Sequence, residues 1–317
     1  SPFFLRGYLS RQYRMTATKP KLLLIGASGF VGGWLSEVGR ERFELFAASR
    51  QPRASAATGH RSILLDVTDS ESVKSAFDVA QPDGVVLAAA LADVEHCERE
   101  PATAERINVT GAQHVARECR RRGARLLYTS TDAVFDGALG GYDEVARPTP
   151  PNEYGRSKAR AEDAIREILP TAAIVRYSMV LGFARREGVH SHLDRLAKTL
   201  RAGETIEVPI AEYRNPIDAP TLARLLLDLI GRDDASSVFH IGSRDKVARV
   251  ELVRRISIAL GCSGDLAQPI AALPPGRAKR SADSFLICRR LPELTGQAMP
   301  SCDDVIARAV ATERKTG

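Results

Sequence analysis

The sequence predicts an α/β protein built on a doubly wound parallel sheet with a smaller C-terminal domain. Short apolar runs alternate with amphipathic stretches, a glycine-rich turn follows the first apolar run, and the alternation fades beyond residue 182. Such alternation is typical of parallel strands joined by helices that cover both faces of a sheet. A glycine-rich turn at the first strand–helix junction is typical of a Rossmann-type domain.

Hydrophobic periodicity places the elements in the first part of the chain. Apolar runs predict buried strands at 21–27, 43–49, 62–67, 83–90, 124–131 and 172–182. Amphipathic stretches predict helices at 31–41, 69–80, 101–123 and about 153–168. Asp69 or Ser70 is the expected N-cap of the second helix, and Pro101 opens the third. A helix at 221–231 and a strand at 236–242 predict a return to the same sheet.

These elements predict two domains. A Rossmann-type dinucleotide-binding domain covers 15–182 and about 216–242, and a C-terminal substrate-binding domain combines about 183–215 and 243–310. Residues 1–14 precede the first methionine and contain three arginines and no acid. We expect that segment to be a leader or a remnant of an expression vector, outside the fold.

Composition argues against several classes of protein. No apolar run reaches the roughly 18 residues that a membrane span needs, so no membrane association is expected. The net charge of +6 includes the three leader arginines, and the basic run 120–122 suits a helix end, so no nucleic-acid partner is expected. The five scattered cysteines form no C-x-x-C pair, which favours the reducing cytoplasm and no metal site. A homodimer is compatible with the sequence, because dimers are the commonest soluble oligomers.

The turn that reads GASGFVG lies directly after the first predicted strand and opens a helix. In dinucleotide sites one glycine permits the tight turn, one lets the backbone approach the pyrophosphate, and one lets the helix pack on the sheet. The free N–H groups at the helix start then face the phosphates. The expected cofactor contacts here are Gly26, Ser28, Gly29, Phe30, Val31 and Gly32.

The end of the second strand favours NADP(H) over NAD(H). NAD enzymes usually place an acid at this point to accept from the ribose hydroxyls. This chain has Ser49, Arg50 and Arg53 instead, which suit a 2′-phosphate. Further along, Asp66 and Val67 are expected at the adenine edge, and the small side chains of 88–90 leave room for the cofactor. The remaining expected cofactor contacts are Ala88, Ala89, Ala90, Asn108, Tyr154 and Lys158.

Tyr154 and Lys158 form the most informative pair. Residues four apart share one face of a helix, so the phenol and the ammonium can meet at one site. A nearby cation favours phenolate and is expected to lower the tyrosine pKa. Thr131 ends the fifth predicted strand, where ligands gather in open α/β sheets. The three side chains together predict proton exchange with a substrate carbonyl or hydroxyl.

These motifs resemble those of the extended short-chain dehydrogenase/reductases, and more narrowly the family of dTDP-4-dehydrorhamnose reductases and their sugar-nucleotide-binding relatives. The segments that carry the resemblance are GASGFVGG (26–33), LDVTD (65–69), 82–109, STDAVFDG (130–137) and YGRSKARAE (154–162). The resemblance implies hydride transfer from the nicotinamide to the C4 ketone of a deoxyhexose on dTDP. Thr131 would be the hydroxyl of the triad, Tyr154 the proton donor and Lys158 its partner.

The expected substrate is therefore a nucleotide sugar. Its candidate contacts are Asp132, Arg214, Asn215 and Arg280, since an arginine suits a diphosphate. Ala133 stands where this branch commonly has tyrosine, so one wall of the pocket is expected to differ. The C-terminal half resembles the family only through 214–223 and 277–291.

Two alternatives stay open. The first is a sugar-nucleotide epimerase on the same scaffold, which would keep its cofactor through two hydride steps. The second is a non-catalytic NADP-binding regulatory subunit, as in the beta subunit of methionine adenosyltransferase, which resembles the same branch. A dehydratase is disfavoured, because Thr131 is followed by Asp132-Ala133 and dehydratases of this superfamily typically have an Asp-Glu pair there.

Overall fold

The structure, a computed structural model, describes residues 19–51, 60–272 and 276–313. At its centre lies a seven-stranded sheet in which every neighbouring pair is parallel. The predicted leader 1–14 and the predicted phosphate contact Arg53 lie outside the described residues. The strands of this sheet are β1 (Lys21–Ile25), β2 (Glu44–Ser49), β3 (Arg61–Leu64), β4 (Gly84–Leu87), β5 (Arg125–Thr131), β6 (Ala173–Tyr177) and β11 (Val238–Ile241).

The strand order is β11-β6-β5-β4-β1-β2-β3, which confirms the predicted doubly wound fold. The chain runs outward from β1 to β3, returns to β4 on the other side of β1, and continues outward to β11. Connections diverge at this switch point and leave a crevice at the carboxyl ends of the strands, where ligands bind in such sheets. The larger helices are α1 (Phe30–Gly39), α2 (Ser70–Ala80), α5 (Gly111–Arg122), α6 (Glu153–Ile168), α7 (His192–Arg201), α8 (Ala219–Ile230), α9 (Arg249–Ala259) and α11 (Cys302–Val310).

Two apolar layers cover the sheet, one on each face. Neighbouring side chains of a strand point to opposite faces, so Leu22 and Leu24 pack with α1 and α8, while Leu23 and Ile25 pack with α2, α5 and α6. The first layer continues without a break into α7, α9 and α11. The C-terminal elements therefore share a core with one face of the sheet, and the division into two domains stays a prediction.

Short elements complete the C-terminal part. Three two-stranded sheets pair β7 with β10, β9 with β12, and β8 with β13. Pairing of this length depends on tertiary contacts rather than on a periodic pattern in the sequence. The bounds are β7 (Val180–Leu181), β8 (Ile206–Pro209), β9 (Tyr213–Arg214), β10 (Ile217–Asp218), β12 (Val247–Ala248), β13 (Ala267–Ile270) and the helix α10 (Arg290–Thr295).

The single helix predicted over 101–123 is wrong in its middle. The chain forms α4 (Pro101–Ala104), a π-helical turn over Glu105–Thr110, and then α5. Gly111, the residue after this turn, packs against the loop that follows β3, and an added Cβ there would lie 2.8 Å from Cγ2 of Val67. Single π-helical turns often mark functional sites. A short helix before it, α3 (Val94–Arg99), is absent from the sequence-based prediction.

Other expectations have direct structural counterparts. Asp69 caps α2 by accepting from the backbone N–H of Glu71. The basic run 120–122 ends α5, where Arg121 and Arg122 bind Glu118 of the same helix. All five cysteines are free thiols. Across the described ranges, no helix combines the length and the apolar character that crossing a membrane requires.

Candidate active site

The glycine-rich turn gives each of its three glycines a different geometric role. Gly26 has φ of +97°, and a Cβ there would lie 2.5 Å from the backbone nitrogen of Ala89. A Cβ on Gly32 would lie 2.2 Å from the carbonyl oxygen of Gly26, so the start of α1 touches the turn. A Cβ on Gly29 would meet nothing closer than 3.5 Å. Gly29 therefore leaves open space in front of the first turn of α1, the place where a diphosphate would approach.

A cleft of about 200 Å³ lies beside this turn, at the carboxyl ends of β1, β2 and β4. It brings together most of the residues that the sequence predicts for the cofactor, namely Gly26, Ser28, Gly29, Ser49, Arg50, Asp66, Val67, Ala88, Ala89 and Ala90. Leu65, Leu91 and Ile107 also line it and were not predicted. The first two directly flank predicted segments, and Ile107 lies one residue before Asn108. Phe30, Val31 and Gly32 follow in the first turn of α1, outside this lining.

Charge in the cleft is dominated by Arg50 and Asp66. Asp66 accepts hydrogen bonds from the backbone N–H and the hydroxyl of Thr68, at 2.9 and 2.8 Å. The Thr68 backbone bond is the largest cause of a lowered Asp66 pKa, and the charges of Arg50 and Arg106 add to it. Arg50 is exposed at the end of β2, where its guanidinium is available to a phosphate.

Tyr154 and Lys158 lie on the sheet-facing side of α6. The helix begins after Asn152, whose side chain accepts from the backbone N–H of Gly155 and donates to the carbonyl of Lys279. Lys158 is buried, donates to the backbone carbonyl of Thr129 at 2.7 Å, and lies 4.0 Å from the ring centroid of Tyr128. The cap thus fixes the start of the helix, and β5 holds the lysine.

Thr131 ends β5 beside this pair. Its hydroxyl oxygen accepts from the backbone N–H of Ala133 at 3.1 Å, and its hydroxyl donates to Asp132 at 3.2 Å. The Tyr154 phenol lies beside Thr131, and hydrogen bonding from this neighbour acts to lower the Tyr154 pKa. The structure therefore brings Thr131, Tyr154 and Lys158 to one place, as the sequence predicts.

The expected lowering of the Tyr154 pKa is wrong. Burial raises the Tyr154 pKa, the neighbouring Tyr177 and Asp132 add to the rise, and the Thr131 hydrogen bond only partly opposes it. Burial also lowers the pKa of Lys158 to about 7, against the opposite effect of Glu162. The sequence argument counted the lysine charge but not the desolvation of both groups, which disfavours the phenolate and the ammonium alike.

Asn108 has a different place from the predicted one. It lies in the π-helical turn, is buried, and exchanges two hydrogen bonds with the backbone of Leu91. Its amide also donates to the Ser157 hydroxyl at 2.9 Å, and Ser157 in turn donates to the carbonyl of Tyr154. Because its amide is fully engaged, Asn108 connects the loop after β4 to α6 rather than lining the cleft.

Asp132 and Arg214 come together next to Thr131. One carboxylate oxygen of Asp132 accepts from the hydroxyls of Ser178 and Ser284, at 3.0 and 2.7 Å. Nε of Arg214 lies 3.9 Å from the same oxygen. The Arg214 guanidinium is also held by the carbonyls of Ser281 and Ala282. Ser178 and Ser284 were not predicted, and no pattern in the sequence marks them.

The structure does not bring Asn215 and Arg280 to this place. Asn215 is fully buried, and its amide pairs with the backbone of Ser243 and Leu286. Arg280 instead binds Glu95 of α3 at 3.1 Å. Hydrogen bonding from the backbone of Ala278 and from Arg280 lowers the Glu95 pKa. Asn215 therefore joins C-terminal segments to one another, and Arg280 ties its segment to α3.

Sequence comparison places the chain among known proteins. The model of the family described as RmlD substrate binding domain matches residues 20–315. The chain belongs to this family. The resemblance to extended short-chain dehydrogenase/reductases of the dTDP-4-dehydrorhamnose reductase branch is thereby confirmed, and so is the class of NAD(P)-dependent oxidoreductases at the level of the family.

Individual relatives agree with this assignment. The chain is 32% identical over 249 residues to the probable low-salt glycan biosynthesis reductase Agl14 of Haloferax volcanii, covering 77% of this chain and 82% of that protein. It is 30% identical over 284 residues to the dTDP-4-dehydrorhamnose reductase of Mycobacterium tuberculosis, covering 87% and 88%. The dTDP-4-dehydrorhamnose reductase of Bacillus anthracis, solved in complex with NADP, superposes with a TM-score of 0.83 at 25% identity, covering 93% and 100%.

Proposed function

We propose that this chain is an NADPH-dependent reductase that converts a nucleotide-linked 4-keto deoxysugar to the corresponding alcohol, with Tyr154 as proton donor. The observation that carries the proposal is the convergence of Thr131, Tyr154 and Lys158 next to the Asp132–Arg214 pair, on a sheet whose carboxyl edge also holds the glycine-lined cleft. The cleft suits a dinucleotide, and the Asp132–Arg214 pair suits an anionic, hydroxyl-rich substrate.

The residues of the cleft fit a phosphorylated dinucleotide. The space in front of Gly29 is a cradle that a Cβ would enter, and the first-turn N–H groups of α1 face it. Arg50 offers a guanidinium at the end of β2, with Ser49 beside it. An NADP 2′-phosphate matches that pair better than bare ribose hydroxyls do, which supports NADPH over NADH.

When bound, the reduced nicotinamide supplies the hydride that adds to the C4 carbonyl carbon. As the carbonyl oxygen gains negative charge, the Tyr154 phenol transfers its proton to that oxygen, so ketone, hydride and proton give the alcohol. The Tyr154 phenol, whose pKa lies above its ordinary value, is protonated near neutral pH, which is the form that a proton donor needs. The Thr131 hydroxyl lies beside the phenol, and by turning its O–H from Asp132 to the substrate it would donate to the same oxygen and orient it.

Substrate recognition is proposed to rest on Asp132 and Arg214. Arg214 presents a guanidinium that backbone carbonyls hold in place, and such a group suits the diphosphate of a nucleotide sugar. The Asp132 carboxylate can accept from sugar hydroxyls beside the reacting carbon. The small side chain of Ala133 follows directly, so the pocket wall there is formed without an aromatic ring.

The deciding experiment follows NADPH oxidation with dTDP-4-dehydrorhamnose as substrate, beside an NADH reaction. Tyr154→Phe is expected to lower kcat by at least about a thousandfold while NADPH still binds, because it removes only the proton donor. Tyr142→Phe is the matched control, since its hydroxyl binds Asp136 away from the triad. Unchanged turnover in Tyr154→Phe would refute the proposed chemistry. Tight NADPH binding without turnover would favour the regulatory-subunit alternative.

A further inference from the structure

A buried carboxylate continues the catalytic face of α6. Tyr154, Lys158 and Glu162 are spaced by four residues, so their side chains follow one face of the helix. Glu162 is fully buried, and Lys158 is 2% exposed. Burial of charge is costly unless partners compensate it, so the surroundings of Glu162 require an explanation.

Both carboxylate oxygens of Glu162 accept from β5 and β6, and Nη2 of Arg166 on α6 lies 3.2 Å from Oε2 as a further partner. Ser130 donates to Oε1 at 2.6 Å. Nε of Arg176 donates to the same oxygen at 2.9 Å, and Nη2 of Arg176 donates to Oε2 at 2.5 Å. Ser130 lies between Thr129, which accepts from Lys158, and the triad residue Thr131. Glu162 therefore joins the helix that carries Tyr154 and Lys158 to the strand that carries Thr131.

Arg176 is buried as deeply as its partner. It is 1% exposed, stacks 5.2 Å from the ring centroid of Phe135, and lies 3.5 Å from Nε2 of His240. An apolar pair of similar volume would fill this space at little or no cost in stability. A charged pair at this position therefore points to a use for the charge itself.

Glu162 is the negative group around Lys158. The other titratable groups that surround the lysine and the triad come from β5, β6, β11, α3, α6 itself and the turn after β5, which carries Asp132. Burial raises the pKa values of Tyr128, Tyr154, Tyr177 and Cys97, so all four stay neutral near neutral pH. Burial and Arg176 lower the His240 pKa to about 3, so its ring is neutral as well. Asp132 acts on Tyr154, whereas Glu162 is the acid whose charge acts on Lys158 and favours its ammonium form, although Arg176 and Arg166 offset part of that charge.

We propose that Glu162 is a positioning residue that keeps Lys158 in its ammonium form, and that Arg176 and Ser130 hold the Glu162 carboxylate in place for that purpose. The inference rests on the proposed function, because Lys158 matters to the reaction only if Tyr154 is the proton donor. Without the carboxylate, the buried ammonium has a backbone carbonyl and a ring face as its neighbours and loses its proton more easily.

The test measures the protonation of Lys158 directly. The chain has eight lysines, so carbon NMR of lysine labelled at Cε gives few signals, and Lys158→Arg assigns the one of interest. In Glu162→Gln the titration midpoint of Lys158 is expected to fall by at least about one pH unit, and the pH profile of kcat to shift with it. Glu167→Gln, at an exposed acid on the same helix, is the control and is expected to change neither.

A double variant separates charge from structure. Glu162→Gln alone leaves Arg176 buried without its carboxylate and destabilises the fold, whereas Glu162→Gln with Arg176→Met removes both charges. The double variant is expected to regain thermal stability. The midpoint of the Lys158 titration should stay low, and turnover at neutral pH should stay reduced. If the double variant regains the wild-type midpoint and turnover, Glu162 is only structural and the inference fails.

The NMR titration of Lys158 needs no substrate. The proposed function and the role of Glu162 can therefore be tested separately. A midpoint that responds to Glu162→Gln in a chain with no reductase activity would overturn the proposed function alone. A midpoint that does not respond in an active enzyme would overturn the role of Glu162 alone.

Discussion

The ammonium nitrogen of Lys158 lies 2.7 Å from the backbone carbonyl oxygen of Thr129. Its other close neighbour is the ring of Tyr128, whose centroid lies 4.0 Å away. Both neighbours are neutral, so a dipole and a ring face solvate this buried charge. That solvation replaces water only in part, and burial lowers the Lys158 pKa to about 7.

This arrangement predicts that Lys158 costs stability below about pH 7. In the unfolded chain a lysine keeps its ordinary pKa of about 10.4. Between about pH 7 and pH 10 the unfolded chain therefore binds more protons than the folded one, and the free energy of unfolding rises with pH. Below about pH 7 both states are protonated and the full penalty is present.

Lys158→Met is accordingly expected to raise the free energy of unfolding by about 1–3 kcal/mol near pH 6, with a gain that shrinks toward pH 10. Chemical denaturation at several pH values measures it. Lys198→Met is the control, because that lysine is exposed on α7 and is expected to show no such trend. A gain that does not vary with pH would mean that packing, and not charge, explains it.

The glycine-rich turn supplies a matched pair of variants. In Gly32→Ala the new Cβ would lie 2.2 Å from the Gly26 carbonyl oxygen and 2.7 Å from Cα of Ala27, so backbone must move. We expect a loss of at least about 2 kcal/mol in the free energy of unfolding. In Gly29→Ala the Cβ meets nothing closer than 3.5 Å, and φ of −80° suits alanine. We expect nearly unchanged stability but at least about tenfold weaker NADPH binding.

Thermal denaturation and NADPH fluorescence distinguish the two effects. If Gly29→Ala binds NADPH as the wild type does, the open space in front of Gly29 is not the diphosphate site. If both variants lose stability equally, the three glycines do not divide their roles as the geometry indicates.

Periodicity predicted the main sheet, because each of its strands is a local apolar run. The predicted ends ran too far at 62–67 and 83–90, where β3 stops at Leu64 and β4 at Leu87. Small or apolar residues continue there into the wall of the cleft, and hydrophobicity does not distinguish a buried strand from a buried loop. The π-helical turn over Glu105–Thr110 was also missed, and Gly111 at its end packs on Val67, a contact distant in sequence.

The candidate site likewise has residues that local spacing predicts and residues whose contacts are distant in sequence. Tyr154 and Lys158 were predictable because a spacing of four on one helix is local. The burial of the Asn215 amide, and the partnership of Glu162 with Arg176, depend on which distant backbone closes over them. Glu162 lies in the motif at 154–162, but the sequence alone gives it no special role. Nothing in the sequence marks Arg176 as its partner.

Arg50 is expected to decide between the two nicotinamide cofactors. Arg50→Ala should raise the KM for NADPH by about tenfold and leave that for NADH nearly unchanged, because only NADPH has a 2′-phosphate for the guanidinium. Steady-state kinetics with both cofactors tests this. Arg61→Ala, an exposed arginine at the start of β3, is the control. Equal rises in KM for both cofactors would mean that Arg50 contacts the diphosphate, which both cofactors share, or that it supports the fold.

Arg214 is expected to act on the substrate and not on the cofactor. Its Nε lies 3.9 Å from Asp132, next to the triad, while backbone carbonyls of 281 and 282 fix its guanidinium. Losing a charge-assisted contact with a diphosphate costs roughly 1.5–3 kcal/mol, so Arg214→Met should raise the KM for the nucleotide sugar by about tenfold or more. The affinity for NADPH should stay the same.

The control for Arg214 is Arg249→Met. Both arginines contact the carboxylate of Glu212, at 3.6 Å for Arg214 and 2.6 Å for Arg249, but Arg214 is the one beside Asp132. If the two variants raise the KM equally, the effect comes from releasing Glu212, and Arg214 does not bind substrate. If Arg214→Met alone raises the KM while the NADPH affinity holds, the substrate lies beside Arg214 and Asp132, next to Thr131.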